Sequence, residues 1–387
     1  MEVHQHTHTL RDLEVDPTGG GWCNTVQDCG GRAMNRNGSS LHFPPQTTFS
    51  GLLDLNYSFN PNFYNWHKVF IYYCDGASFM ADVEHPVNNI RFRGARIFKV
   101  MMEEMISKGM NNAHNAILAG SSAGGLATTL HCDRFRELFP NTTTVKCISD
   151  SGYFIHGNVE GLPAVQGKAD YFAQVIATHD IAKSLPTSCT KKMDPSLCLY
   201  PENFVGDINT PLFLIESAFD SVQIESSLVP AVGGQAAWIQ CLRNLTLCNS
   251  TELEIMRGFR ALFIEKLVKL DPNPSRGMFV HSFFRHGHLL LRGGWTCSSV
   301  YGNNILANKT IGQAVSDWYF DGNPFQMIDT QNSNPRGSPT QDYDILDQKC
   351  LATLSLNLTA TSHAHHQLIL SALCVSLLQI FIPLIFY

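Results

Sequence analysis

The sequence predicts an α/β domain, a mostly parallel sheet with helices on both faces, and three observations predict it. Short β-branched and aromatic runs alternate with segments whose apolar residues recur at helical spacing. A strand, a Gly-Ser-Ser-Ala-Gly turn and a helix follow one another between residues 116 and 139. The 387 residues are 44% hydrophobic and 16% charged, enough apolar material for a large core and too much for disorder.

The elements are read in chain order. Val69 to Cys74 (VFIYYC) is a buried strand ending at Asp75-Gly76. Ala95 to Lys108 has Ile97, Val100, Met101 and Met105 at helical spacing, and Gly109 closes it. Ala116 to Ala119 is a second strand, Ala123 to Phe139 a helix, and Val145 to Ile148 a third strand. Pro211 to Ile215 and Met278 to Phe283 are the fourth and fifth. Between them a helix opens at Thr251, with Glu254 completing a capping box, and runs to Leu270. Residues 155–210 break the rhythm with Pro and Cys and read as a lid or insertion. Strands alternating with helices place the sheet between two helical layers.

Lys and Arg number 27 against 33 Asp and Glu, a net −6, which argues against a nucleic-acid partner. Twelve cysteines are many for a cytosolic chain. Cys23 with Cys29, Cys189 with Cys198, and Cys241 with Cys248 lie at spacings that suit disulfide-closed loops, and no CxxC suggests a metal. Seven glycosylation triplets, at Asn37, Asn56, Asn141, Asn244, Asn249, Asn308 and Asn357, add to a secretory reading. The ends complicate it. Met1 to Asp16 is polar with no signal-like apolar region, and its His4, His6 and His8 read as an unheld stretch rather than a metal site. Leu368 to Tyr387 is 20 residues without charge, a candidate membrane anchor, a removable GPI tail or an unusual end.

The chemistry centres on Gly120-Ser121-Ser122-Ala123-Gly124, which matches G-x-S-x-G between strand and helix. Small flanking residues let such a turn present Ser122 as a nucleophile, while the Ala123 amide at the helix start faces a developing oxyanion. A nucleophilic serine needs an imidazole base and a carboxylate to orient it, in the chain order Ser, Asp, His. Asp220, just past the fourth strand, is the preferred acid, with Asp150 its rival and Asp207 weaker. His286 is the preferred base among His281, His286 and His288. On this assignment Ser122→Ala abolishes turnover and Asp150→Ala spares it. The loop Gly19-Gly20-Gly21-Trp22-Cys23 can bring further amides to a carbonyl oxygen.

The blocks GGGWCNTVQDC, YCDGASFMADVE, FRGARIF, GSSAGGLATTLHCDRFRELFP, SDSGYFI, PLFLIESAFDSVQI, SRGMFVHSFFRH and NKTIGQAVSDWYFD, in this order from Gly19 to Gly322, resemble the plant pectin acetylesterases. These are relatives of the animal Notum-type carboxylesterases. The resemblance implies an α/β-hydrolase-like serine esterase of the secretory pathway that removes O-acetyl groups from cell-wall pectin (homogalacturonan), without cofactor or metal. It puts nucleophile, acid and base on Ser122, Asp220 and His286, and the oxyanion donors on the amides of Gly21, Trp22 and Ala123. The alternatives are a lipid or small-molecule carboxylesterase and a catalytically impaired carbohydrate-binding glycoprotein.

The chain also departs from the family pattern. Residues 1–18 stand where the family has a signal peptide and a strand leading into the Gly-rich loop, so that loop is expected to be poorly held. The family's C-F-A-H-C around the base is Phe283-Phe284-Arg285-His286-Gly287 here, so its disulfide is expected to be absent or rerouted through Cys297 and Cys350. Ser121 replaces the family's usual cysteine. The expected layout is a polar N-terminus (1–18), a domain at 19–330, a linker at 331–367 and the apolar tail 368–387, with membrane attachment through the tail one of its readings.

Overall fold

The computed structural model describes residues 20–35, 37–73, 75–157, 165–228, 235–270, 273–296, 306–322, 324–337 and 382–386. Seven strands form one sheet: β1 (His67–Ile71), β2 (Asn115–Ser121), β3 (Thr144–Asp150), β4 (Leu212–Phe219), β5 (Gly277–Phe284), β6 (Gln326–Ile328) and β7 (Ile382–Phe386), in the order β1-β7-β2-β3-β4-β5-β6. From β2 to β6 every pairing is parallel.

The described helices are α1 (Val26–Arg32), α2 (Gly94–Ser107), α3 (Ala123–Arg136), α4 (Val165–His179), α5 (Thr187–Thr190), α6 (Ser221–Leu228), α7 (Gln235–Arg243), α8 (Ser250–Val268), α9 (Arg292–Thr296) and α10 (Ile311–Ser316). Alternate strand residues feed two cores, as the two-residue side-chain period of a strand requires. Leu118, Cys147, Leu214 and Val280 face Met101 and Met105 of α2, Ala127 of α3, and Phe259 and Phe263 of α8. Their neighbours Ile117, Ile148, Phe213 and Phe279 face Phe63, Trp66, Trp295, Val315 and Trp318. Burial on both faces is why β4 opens with the apolar run Leu212–Ile215 and β5 with Met278–Val280.

A third cluster joins the insertion to the domain. Phe172, Val175 and Ile176 of α4, with Leu185, Leu199, Tyr200 and Phe204, pack on Leu126 and Leu130 of α3 and on Phe154. Among the described residues four disulfides are formed: Cys23–Cys29, Cys189–Cys198, Cys241–Cys248, and Cys132–Cys147, which ties α3 to β3. Cys297 and Cys350, the proposed rerouted pair, lie outside the described residues, as do residues 1–19 and Asn357.

The structure corrects two expectations. The cap of helix α8 lies two residues earlier than expected. Asn249 accepts from Glu252 N (2.9 Å) and Glu252 returns the bond to Asn249 N (2.9 Å), so the capping box is Asn249–Glu252 and not Thr251–Glu254. The tail also differs from its reading as a membrane anchor. Residues 368–381 lie outside the described residues, but Ile382–Phe386 run antiparallel between β1 and β2. Leu384 pairs with Val69 on one side and Leu118 on the other, and Ile385 pairs with Lys68 and Ile117. No helix among the described residues is long and apolar enough to cross a membrane.

Candidate active site

Ser122 sits at the junction of β2 and α3 with φ 61° and ψ −129°, a backbone conformation costly for a side-chain-bearing residue and typical of a sharp strand-to-helix turn. A Cβ on Gly120 would stand 2.2 Å from the carbonyl oxygen of Gly124, so the first glycine of the motif is sterically required. Ser122 N donates to Asp150 O (2.8 Å), and Leu126 N closes the first helical turn on Ser122 O (3.0 Å).

Asp220 follows β4 and is fully buried. Its Oδ1 accepts from Gln223 N (2.8 Å) and its Oδ2 lies 2.7 Å from His286 Nδ1. Nδ1–H therefore donates to the carboxylate, which leaves the neutral ring's lone pair on Nε2, the nitrogen a base for serine must use. The loop that follows β5 brings His286 beside the turn: a Cβ on Gly287 would lie 3.4 Å from Ser121 Oγ.

Asp150 is not positioned to act as the triad acid. Its Oδ1 pairs with His288 Nδ1 (2.7 Å) and its Oδ2 accepts the amides of His288 (2.8 Å) and Leu289 (2.9 Å). Burial opposes its ionisation, but His288 and these amides outweigh that and hold its pKa below the ordinary carboxyl range. Its other neighbour, His281, lies 2.7 Å from His288 through their Nε2 atoms, and burial keeps its imidazole neutral. Because the Asp150 side chain carries the segment after His286, the expectation that Asp150→Ala spares turnover is withdrawn. Asp207 instead faces Lys192 at 3.5 Å, on the surface. Sequence reasoning missed the roles of His281 and His288, since single histidines carry no periodic signal.

A third carboxyl is buried in β4, close enough to feel the charges of both Asp220 and Asp150. Glu216 Oε1 accepts from Gly152 N (3.1 Å) and Tyr153 N (3.0 Å). Burial first, then the charge of Asp220, pushes its pKa well above the carboxyl range, so it stays protonated.

The Gly-rich loop is held from several directions, contrary to the expectation of a poorly held loop. Arg32 donates to Gly20 O, Tyr73 Oη to Gly21 O (3.2 Å), Tyr171 Oη to Trp22 O (2.6 Å) and His179 Nε2 to Cys23 O (2.9 Å). In a trans peptide the N–H points opposite its carbonyl, so turning Gly20 O and Gly21 O toward Arg32 and Tyr73 aims the amides of Gly21 and Trp22 the other way. Gly21 has φ +42°, which favours glycine. The indole of Trp22 packs edge-on against Phe154 (4.9 Å) and Phe172 (5.0 Å), and Phe154 lies 6.4 Å from the His286 ring. Cys23, Cys29 and His179 are clustered closely enough to suggest a metal, but the two sulfurs are bonded to each other and offer no thiolate.

The comparisons fit this geometry. The sequence pattern of the family described as Pectinacetylesterase matches residues 11–338. The chain belongs to this family. Pectin acetylesterase 7 of Arabidopsis thaliana is 43% identical over 332 residues, covering 84% of this chain and 82% of the relative. Pectin acetylesterase 11 of the same plant is 41% identical over 324 residues, covering 83% and 81%. The palmitoleoyl-protein carboxylesterase notum2 of Xenopus laevis is 28% identical over 222 residues, covering 53% and 45%. Among solved structures, the Wnt deacylase Notum from Drosophila superposes with a TM-score of 0.64 at 22% identity, covering 83% of this chain and 88% of that one. It shares the fold: a mostly parallel sheet with helices around it.

Proposed function

We propose that the chain is a secreted serine esterase of the plant cell wall that removes O-acetyl groups from pectin, with Ser122 as nucleophile, His286 as base and Asp220 as the acid orienting it. The observation that carries this is the 2.7 Å Asp220–His286 pair, whose loop is anchored against the Ser122 turn. Ser122 attacks the acetyl carbonyl as His286 Nε2 takes its proton. The amides of Gly21, Trp22 and Ala123 bind the oxyanion, and His286 then protonates the departing sugar oxygen, which leaves as the hydroxyl. Water activated by the same imidazole hydrolyses the acetyl-serine.

The small acyl group agrees with the packing. Buried Phe154 and Phe172 stand against Trp22, beside the base, so the space near the oxyanion loop is filled by rings. That favours acetyl over the long chain of a lipid esterase. The catalytic domain is assigned to 19–330, with the 155–210 insertion supplying Phe172 to this wall.

The four disulfides support an oxidising compartment. Asn56, Asn141, Asn244, Asn249 and Asn308 are exposed and Asn37 is half-buried, which suits glycosylation. Membrane attachment is not proposed, since Ile382–Phe386 lie within the sheet.

The test is acetate release from acetylated pectin and from p-nitrophenyl acetate by the full chain and its Ser122→Ala variant. Release from both substrates that disappears in Ser122→Ala is expected. Release that survives the substitution overturns the assignment.

A further inference from the structure

We infer that Asp150 and Ser151 are positioning residues that set the distance between nucleophile and base, an assignment that rests on the Ser122–His286–Asp220 reading above. These two consecutive residues touch both halves of the site. Through its main chain, Asp150 holds the nucleophile turn: its carbonyl accepts Ser122 N (2.8 Å), and in the sheet it stands opposite Ser121. Its carboxylate holds the base loop. His288 N (2.8 Å) and Leu289 N (2.9 Å) donate to Oδ2, while His288 Nδ1 (2.7 Å) and Ser151 Oγ (3.3 Å) donate to Oδ1. Ser151 completes the bridge by accepting Gly287 N at 2.9 Å. The three amides that follow His286 therefore all end on this dipeptide.

Proton positions along the chain of imidazoles follow from the donors. Phe283 N donates to His281 Nδ1 (3.1 Å), so His281 carries its proton on Nε2. That proton faces His288 Nε2 at 2.7 Å, which must accept it and keep its own proton on Nδ1, directed at Asp150. Burial keeps the His281 imidazole neutral, and the carboxylate at the end of the chain is Asp150. A carboxylate offers about four lone-pair sites, and four donors fill them. Nothing remains for a second imidazole, which is the physical reason Asp150 serves as an anchor and Asp220 as the acid.

Ser151 shows a further sign of constraint. It is fully buried and has φ 49°, a left-handed conformation unfavourable for serine, with its own amide bonded to Ile215 O (2.8 Å) on β4. In that conformation its hydroxyl meets both Gly287 N and Asp150. The bridge thus runs from the strand that leads to Asp220, through Ser151, to the loop that bears His286.

Ser151→Gly is the clean probe, because glycine accepts the positive φ and the substitution removes the bridging hydroxyl together with no more than its methylene. With p-nitrophenyl acetate, kcat is expected to fall about five- to tenfold, the equivalent of one neutral hydrogen bond, with KM unchanged. Asp150→Asn, which can no longer accept all four donors, is expected to lower kcat about 10²-fold by letting the base drift. The deciding measurement is the same pair of substitutions in a His286→Ala background. If they act through His286, they change the residual rate no further. Losses that multiply in that background, or a kcat that Ser151→Gly leaves unchanged, overturn the inference. Should Asp150→Asn fail to fold, Ser151→Gly alone decides. A wild-type chain that lacks Ser122-dependent turnover overturns the triad reading and this inference with it.

Discussion

Trp22 donates its indole N–H to Ser78 Oγ at 2.8 Å, and the same hydroxyl donates to the Ala123 carbonyl at 2.9 Å. One buried serine therefore ties the Gly-rich loop to the start of α3, the two segments proposed to supply the oxyanion amides. Trp22→Phe keeps much of the ring packing on Phe154 and Phe172 but removes the donor. It is expected to lower kcat on p-nitrophenyl acetate about tenfold or more, since an oxyanion hole acts through preorganised geometry. Steady-state kinetics beside a thermal melt separates this from instability. A kcat equal to wild type would mean that the indole only fills space.

The acyl side of the site yields a specificity prediction. Phe154 packs against Trp22 (4.9 Å) and lies 6.4 Å from the His286 ring, so on the proposed mechanism replacing it opens volume next to the acyl group. Phe154→Ala is expected to raise the kcat/KM ratio of p-nitrophenyl butyrate to acetate about tenfold, while Tm falls because a buried ring is lost. An unchanged ratio would place the acyl group elsewhere.

Much of this was readable before any coordinates. Strands β1 to β5 announce themselves because each holds a short apolar stretch (Val69–Ile71, Ala116–Ala119, Cys147–Ile148, Leu212–Ile215 and Met278–Val280), and the turn motif and chain order single out Ser122, Asp220 and His286, of which the structure pairs Asp220 with His286. The residues that escaped do so for stated reasons. Gln326–Ile328 is a three-residue edge strand whose first two residues are exposed, too short to show a period. Cys132–Cys147 joins two elements rather than closing a short loop. The Asp150–His288–His281 chain depends on which loop crosses the end of β3, and that is a tertiary fact. The tail is the plainest case, because an uncharged apolar run reads alike as a membrane segment and as a buried strand.

Asp75 provides a pH dependence of stability. It is buried beneath the Gly-rich loop, where burial pushes its pKa up to about 6 even though the amides of Ala77 and Phe79 donate to it. Its ordinary value is 3.8, so the folded state binds the proton more tightly than the unfolded state. Stability is then lost as pH rises from about 4 to about 6, by on the order of 3 kcal/mol in total. Asp75→Asn, which resembles the protonated acid, is expected to match wild type near pH 3.5 and to exceed its Tm at pH 7. Thermal melts across that range check it, and a difference that does not grow with pH refutes it.

Strand β7 carries the last prediction. Each of Leu384, Ile385 and Phe386 pairs on both sides, with β1 and with β2, so the segment fills a slot between two strands that run parallel to each other. Removing it exposes two unsatisfied strand edges in the middle of the sheet, beside the strand that leads to Ser122. A chain ending at residue 381 is therefore expected to melt several degrees lower and to exchange the amides of His67–Ile71 and Asn115–Leu118 with deuterium faster than wild type. Leu384→Pro, which lacks the N–H and breaks a strand paired on both sides, should reproduce the effect without shortening the chain. Because the segment cannot lie in the sheet and in a bilayer at once, the intact chain should also stay in the aqueous phase on detergent partitioning. Unchanged exchange in β1 and β2 after truncation, together with recovery of the intact chain in the detergent phase, would return the tail to the membrane.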